Sequence, residues 1–154
     1  MKESAGLIMF RIRQKALQVL LAHPGGPFWK NKDEGAWTIP KGEIGDGEVA
    51  LETARREFEE EIGVPPEEPF HGLGSIKQKG GKVIHAWAFE GDFDPAKLRS
   101  NTFEIEWPPK SGKKVSYPEI DRVEFFTIQE AREKLNPAQV AFLSALQRLC
   151  PAGK

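Results

Sequence analysis

The chain has 154 residues, of which 22 are Lys or Arg and 23 are Asp or Glu, for a net charge of −1. That length suits one domain with a real core. The balanced charge gives no global basic field, so neither a long nucleic acid nor an anionic membrane is expected as a partner. The single cysteine, Cys150, allows no internal disulfide and fits a reducing, cytoplasmic setting.

The opening stretch MKESAGLIMFRIR holds an apolar run too short for a signal or membrane segment. It alternates with Arg11 and Arg13 and reads as a strand over Ala5–Ile12. Leu17–His23 reads as a second strand after a polar turn. HPGGPFWKNKDEGA, rich in Gly, Pro and charge, reads as a loop. Trp37–Ile39 is extended and leads to Pro40, which disfavours helix in the residue before it. From about Asp46 to Ile62 the pattern is helical: Ala50, Leu51, Ala54, Phe58 and Ile62 recur at spacings of three and four. Gly63 supplies a C-cap, and Pro65 and Pro66 prevent continuation. Gly74–Lys79 and Lys82–Glu90, joined at Gly80-Gly81, read as a hairpin. Residues 92–118 give no clear pattern, with DFDP and WPPKSGKK marking loops. Ile120–Phe126 is a strand. Thr127 and Glu130 form a capping box for a helix to Leu135. Asn136 and Pro137 read as the N-cap and first residue of a last helix, to about Leu149. Strands and helices do not alternate regularly, which predicts a mixed α/β sandwich, one domain over residues 1–154, rather than a doubly wound parallel sheet.

The central helix carries the chemistry. On a wheel of about 100° per residue, Glu57, Glu60 and Glu61 cluster beside the apolar stripe, while Glu52 and Glu59 point elsewhere. Like charges at such spacing cost a few tenths of a kcal/mol per pair. Such a cluster serves as a solvated face, faces a basic patch, or binds a hard divalent cation through oxygen ligands.

Around it, Gly42, Glu48, Arg56, Glu57, Phe58, Glu60, Glu61, Gly63 and Val64 stand in a fixed order: Gly, five residues, Glu, seven residues, Arg-Glu, apolar, one residue, Glu-Glu, one residue, Gly, apolar. This pattern resembles the Nudix box. Every specified position is filled, with Phe58 where an aliphatic residue is commoner. The resemblance implies an α/β/α sandwich with a mixed β-sheet. It also implies Mg²⁺- or Mn²⁺-dependent cleavage of a small-molecule nucleotide substrate, a nucleoside diphosphate linked to another moiety. It implies that Glu57, Glu60 and Glu61 hold the metal, that Gly42 lends its carbonyl, and that Arg56 orients a neighbouring glutamate. Glu119, in YPEIDRVEFF, resembles the extra glutamate that some members place outside the box, a candidate general base. Glu48 reads either as a group favoured by the helix dipole or as a catalytic carboxylate.

WTIPKG resembles the same stretch in diadenosine polyphosphate hydrolases and some nucleoside triphosphate pyrophosphohydrolases of the family. Lys41 is then a point charge for phosphate, or a partner in a local salt bridge. Lys79, with Lys77 and Lys82, draws in a polyphosphate or guards an exposed strand edge. Arg11 is a further candidate for substrate contact. Phe28, Trp29, Trp37 and Trp87 are candidates for stacking on a base, although Trp87 alternates with His85 and Phe89 as a core residue would. Diadenosine tetraphosphate hydrolases usually place a tyrosine sixteen to eighteen residues after the box; here that stretch is KGGKVI, and the one tyrosine is Tyr117. The segment from Asn101 to Tyr117 reads as a substrate-facing or edge loop. The expected function is metal-dependent hydrolysis of a phosphoanhydride bond in a nucleoside triphosphate or dinucleoside polyphosphate. The alternatives are an ADP-ribose or nucleotide-sugar pyrophosphatase and a non-catalytic nucleotide-binding module. Oligomeric state is left open.

Overall fold

One strand decides the layering. In β1 (Glu3–Arg13), Ala5, Leu7 and Met9 point to one side and Ile8 and Phe10 to the other, and all five are buried. A strand buried on both faces needs cover on both. A computed structural model, which describes residues 2–150, shows how that cover is supplied.

The β1 strand is central to a mixed sheet. It runs parallel to β5 (Val83–Glu90) and antiparallel to β2 (Ala16–Pro24), to which it is joined by a tight turn. Its first residues pair antiparallel with the short β3 (Lys41–Glu43). The sheet is completed by β4 (His71–Lys77) outside β5 and β8 (Ile120–Thr127) outside β2. Helix α1 (Ala50–Ile62) covers one face with Ala54, Phe58 and Ile62. Helices α2 (Ile128–Lys134) and α3 (Val140–Leu149) cover the other with Ile128, Ala131, Phe142, Leu143 and Leu146. The result is an α/β/α sandwich, with three α-helices among the described residues, as the sequence predicts. No helix among the described residues is long and apolar enough to cross a membrane.

The ends of the elements follow local chemistry. Helix α1 begins at Ala50, not at Asp46, because Gly47 turns with a φ of +78° and Glu48 folds its side chain back to accept from the Gly45 N–H at 2.7 Å. It ends where predicted, with Gly63 left-handed and its N–H on the Glu59 carbonyl. The Thr127–Glu130 capping box is formed. Asn136 caps a single 3-10 turn, Pro137–Gln139, and the last α-helix starts only at Val140. Gln139 sits at that junction, buried. Its Oε1 accepts from the Ile39 N–H at 3.0 Å and its Nε2 donates to Gln78 at 3.1 Å, joining three separate segments.

The Asn101–Tyr117 segment, read as a loop, contains a hairpin. Its strands β6 (Thr102–Glu106) and β7 (Lys114–Pro118) form a separate two-stranded sheet. Every second residue is half-buried: Phe103 and Ile105 on one strand, Val115 and Tyr117 on the other. The period-two signal was present but short, and flanking Pro, Gly and Lys residues masked it.

Replacing Gln139 with Leu is expected to strand the Ile39 N–H in the core. An unsatisfied buried donor costs about 1–3 kcal/mol. At roughly 2–4 °C per kcal/mol for a chain of this size, calorimetry should record a clear fall in the unfolding midpoint.

Candidate active site

The acidic edge of α1 meets the sheet beside β3. Gly42 pairs with Ala5 of β1, and the Glu57 carboxylate fills the space a side chain on Gly42 would need. Glycine is required here for room rather than for backbone conformation; its φ is not among the positive ones. One and a half turns of helix then sort the carboxylates by depth. Glu61 is buried, with 6% of its surface exposed, Glu57 is mostly covered, and Glu60 stands at the rim.

Depth sets their protonation. Burial pushes the Glu61 carboxyl up to about 9, and the neighbouring Glu57 charge adds to the shift, opposed by Lys41. Burial, then Glu60, also raises Glu57 above the ordinary carboxylate value. Glu119, carried on the turn between β7 and β8, lies close enough to be raised by burial and by Glu60, and its charge reaches both Glu57 and Glu61. Its backbone is fixed on both sides: its N–H donates to the Asn101 carbonyl at 2.8 Å and its carbonyl accepts from Gly25 at 2.9 Å. Residues separated by more than fifty positions are thus brought to one cluster.

Arg56 lies along the outer edge. Its guanidinium is 3.1 Å from Glu48, 3.5 Å from Glu57 and 3.4 Å from Glu60. Partial burial works against that charge, but Glu48 and Glu57 outweigh it and hold the guanidinium above its ordinary value. Lys41 lies at the inner end. Burial lowers its ammonium, and Lys82, in the turn between β4 and β5, lowers it further. Lys79 stands exposed in the same turn, and the lysine whose charge acts on Lys41 is Lys82, a residue that the sequence pattern ranks no higher than its neighbours.

Two expected substrate contacts are not part of this cluster. Trp37 is 1% exposed and lies in the core on the α2–α3 face of the sheet. Its indole N–H donates to Asp33 at 2.8 Å, and the rings of His23 and Phe126 meet it edge to face, so no face is free for a base. Arg11 is on the α1 face, but six residues beyond Ala5, roughly 20 Å along the strand at about 3.3 Å per residue. There it pairs with Asp92 at 2.6 Å and stacks on Phe125 in a separate cavity at the far end of the sheet.

The donor set suits a hard divalent cation. It is all oxygen, it is partly desolvated, and it holds a buried carboxylate near a glycine whose missing side chain makes room for the Glu57 carboxylate. Among the described residues, no three acidic, His or Cys side chains converge as they would around an ion. The expected convergence of Glu57, Glu60 and Glu61 is therefore incomplete: Glu61 turns inward to Lys41 while Arg56 draws Glu57 and Glu60 outward.

A mixed sheet sandwiched by helices, with this acidic helix against a glycine strand, defines a NUDIX domain. The family model for that domain matches residues 2–146, and the chain belongs to the family. Among solved structures, a C. elegans Ap4A hydrolase binary complex aligns with a TM-score of 0.69 at 19% identity, covering 98% of each chain. The NUDIX domain of Shewanella oneidensis NrtR, complexed with ADP ribose, aligns with a TM-score of 0.62 at 14% identity, covering 96% of this chain and 86% of that one. The E. coli ORF135 protein aligns at 0.59 and 22% identity, covering 97% and 91%. At these identities the likeness is one of fold. No curated protein matches the sequence at a significant level.

The raised Glu61 value fixes a sign. Unfolded, this carboxyl ionises near 4.5; folded and metal-free, it keeps its proton to about 9. Between those values the native state binds more protons, so this group's contribution to stability falls as pH rises. In EDTA, wild-type protein should therefore melt lower at pH 8 than at pH 6, and Glu61→Gln should shrink that difference. Mg²⁺ should raise the midpoint of wild type at pH 8 and leave the variant nearly unmoved.

Proposed function

We propose that the chain is a metal-dependent hydrolase that cleaves a phosphoanhydride bond in a nucleoside polyphosphate, either a triphosphate or a dinucleoside polyphosphate. The observation that carries this reading is the buried carboxylate Glu61, held beside Glu57 and Gly42 with Glu60 and Glu119 close by. Glu57, Glu60, Glu61 and the Gly42 carbonyl would hold Mg²⁺ or Mn²⁺. When bound, such an ion neutralises phosphate charge and lowers the pKa of a coordinated water.

The chain's own groups do the rest. Arg56 holds Glu57 and Glu60 from the outer side and is a positioning residue, working with Glu48. Glu119, raised by its surroundings, is the candidate to accept a proton from the attacking water. Lys41 and Lys82 offer positive charge at the inner end, where phosphate oxygens would otherwise meet only carboxylates. The half-buried setting of the cluster strengthens each of these interactions relative to water.

A second reading, an ADP-ribose or nucleotide-sugar pyrophosphatase, draws on the NrtR domain and its bound ADP ribose. The same cluster would serve both, since each substrate presents a pyrophosphate to the cation. Product identification separates them.

Incubating the protein with nucleoside triphosphates, dinucleoside polyphosphates and ADP-ribose in Mg²⁺ should give metal-dependent turnover of at least one polyphosphate. Glu60→Gln and Glu61→Gln should each lower it by more than the roughly 10–100-fold that loss of a group supporting a metal ligand costs. Unchanged turnover in both variants, or turnover that survives EDTA, would reject the assignment.

A further inference from the structure

The β6–β7 hairpin and the loop after β2 meet on their aromatic residues. Phe28 and Trp107 pack edge to face, with ring centroids 5.3 Å apart. Phe28 is nonetheless 57% exposed, and Trp29 beside it is 38% exposed; these are the two exposed large aromatics among the described residues. Deeper in the same seam, Phe103 lies beneath Gly26, and Tyr117 stands 6.2 Å from it. Leaving a phenyl and an indole in water is unfavourable, and nothing in the core calls for either.

Three features tie this seam to the acidic cluster. Both ends of the hairpin are bonded there: the Asn101 N–H donates to the Glu60 carbonyl at 3.2 Å, and Glu119 follows directly after β7 and bonds Asn101. The loop is bonded there too, through Gly25 on the Glu119 carbonyl, and a side chain on Gly25 would overlap Pro118. Phe28 comes three residues later, no more than about 10 Å of chain. Finally, the hairpin tip is ordered. The two carboxylate oxygens of Glu106 accept from Lys110 and Gly112 at 3.0 and 3.1 Å, which fixes the turn that carries Trp107.

The surroundings are basic. Lys30 and Lys32 flank the loop aromatics, and Lys110 and Lys113 flank Trp107; all four are exposed and none forms an ion pair among the described residues. An exposed phenyl backed by a half-buried indole, with four lysines around them of which Lys32 packs over Trp29 at 5.2 Å, one short loop away from the acidic cluster, is complementary to a molecule with a flat ring at one end and phosphates at the other.

We infer that Phe28 and Trp107 form the nucleobase subsite, gripping the base of the nucleotide whose phosphates reach the Glu57–Glu61 cluster. This inference rests on the proposed function and adds where the base sits. The ring face of Phe28 not covered by Trp107 stacks on the base, and Trp107 supports it from the hairpin. Stacking accepts any π-face, so the subsite selects for the presence of a base more than for its identity.

The test is binding in Mg²⁺, by calorimetry, of two probes: the α,β-methylene analogues of the four ribonucleoside triphosphates, and inorganic tripolyphosphate. Wild type, Phe28→Ala, Trp107→Leu and Trp107→Phe are compared. Phe28 is exposed, so its variant keeps the fold. Phe28→Ala should raise the Kd of the nucleotide analogues about tenfold and leave tripolyphosphate within twofold. Trp107→Leu should act in the same direction, and Trp107→Phe should restore most of the loss. Equal weakening of both probes, or no change in either, would overturn the subsite while leaving the hydrolase reading in place. Tighter capture of a short single-stranded RNA than of any nucleotide would overturn it in favour of a polymer ligand. Failure of wild type to bind either probe would overturn the subsite and the proposed function together.

Discussion

The structure turns on one carboxylate that has been taken out of water without a full complement of partners. Glu61 is held inside because α1 must place Phe58 and Ile62 against the sheet, and the helical repeat carries the intervening residue to the seam between helix and β3. Burial of an anion is costly unless it is paired or takes up a proton. Lys41 alone does not balance Glu61 and Glu57, since its own ammonium is depressed by burial and by Lys82. The packing of the apolar neighbours therefore holds the Glu61 carboxyl well above its ordinary value, so that it is kept protonated rather than buried as an anion.

That origin explains which parts were legible in the sequence. The apolar stripe of α1 fixes the side on which the carboxylates lie, and Gly63, Thr127 and Asn136 all cap helical turns as their chemistry requires. The strands of the main sheet are long and apolar, and their limits were readable to within a residue or two at most ends. Periodicity made the site legible only within the helix; Gly42, Lys41 and Glu119 were reached through the family resemblance. Glu119 and Lys82 reach it through sheet topology, and no local pattern reports that. Trp37 and Phe28 show the difficulty from the other side. Both are aromatic residues at the edges of the same loop, yet the bond from Trp37 to Asp33 and its rings of His23 and Phe126 draw one into the core, while the other stays in solvent. Arg11 was misread because position on a strand says nothing of which end of the sheet holds the chemistry.

The far cavity around Arg11 illustrates the distinction between charge and site. Arg11 and Arg13 both pair with Asp92, at 2.6 and 2.9 Å, so each of these cations already has a carboxylate partner. Around the acidic helix the carboxyls are in excess: Glu57, Glu60, Glu61 and Glu119 outnumber the cations around them, Arg56, Lys41 and Lys82. Unbalanced charge under partial burial, rather than the size of a cavity, marks the place where a ligand has work to do.

The hairpin closes on itself where it leaves the body of the domain. Glu119 bonds Asn101, and the Ile120 N–H donates to the Ser100 hydroxyl at 2.9 Å, so the entering and leaving chains are stapled together at its root. Between those staples the strands still touch the loop after β2, through Pro118 at Gly25 and Phe103 at Gly26, while the turn at 108–113 projects beyond both contacts. The arrangement resembles a cassette hung on a chassis: residues 102–118 form their own two-stranded sheet, and its root is pinned between the end of α1 and the start of β8.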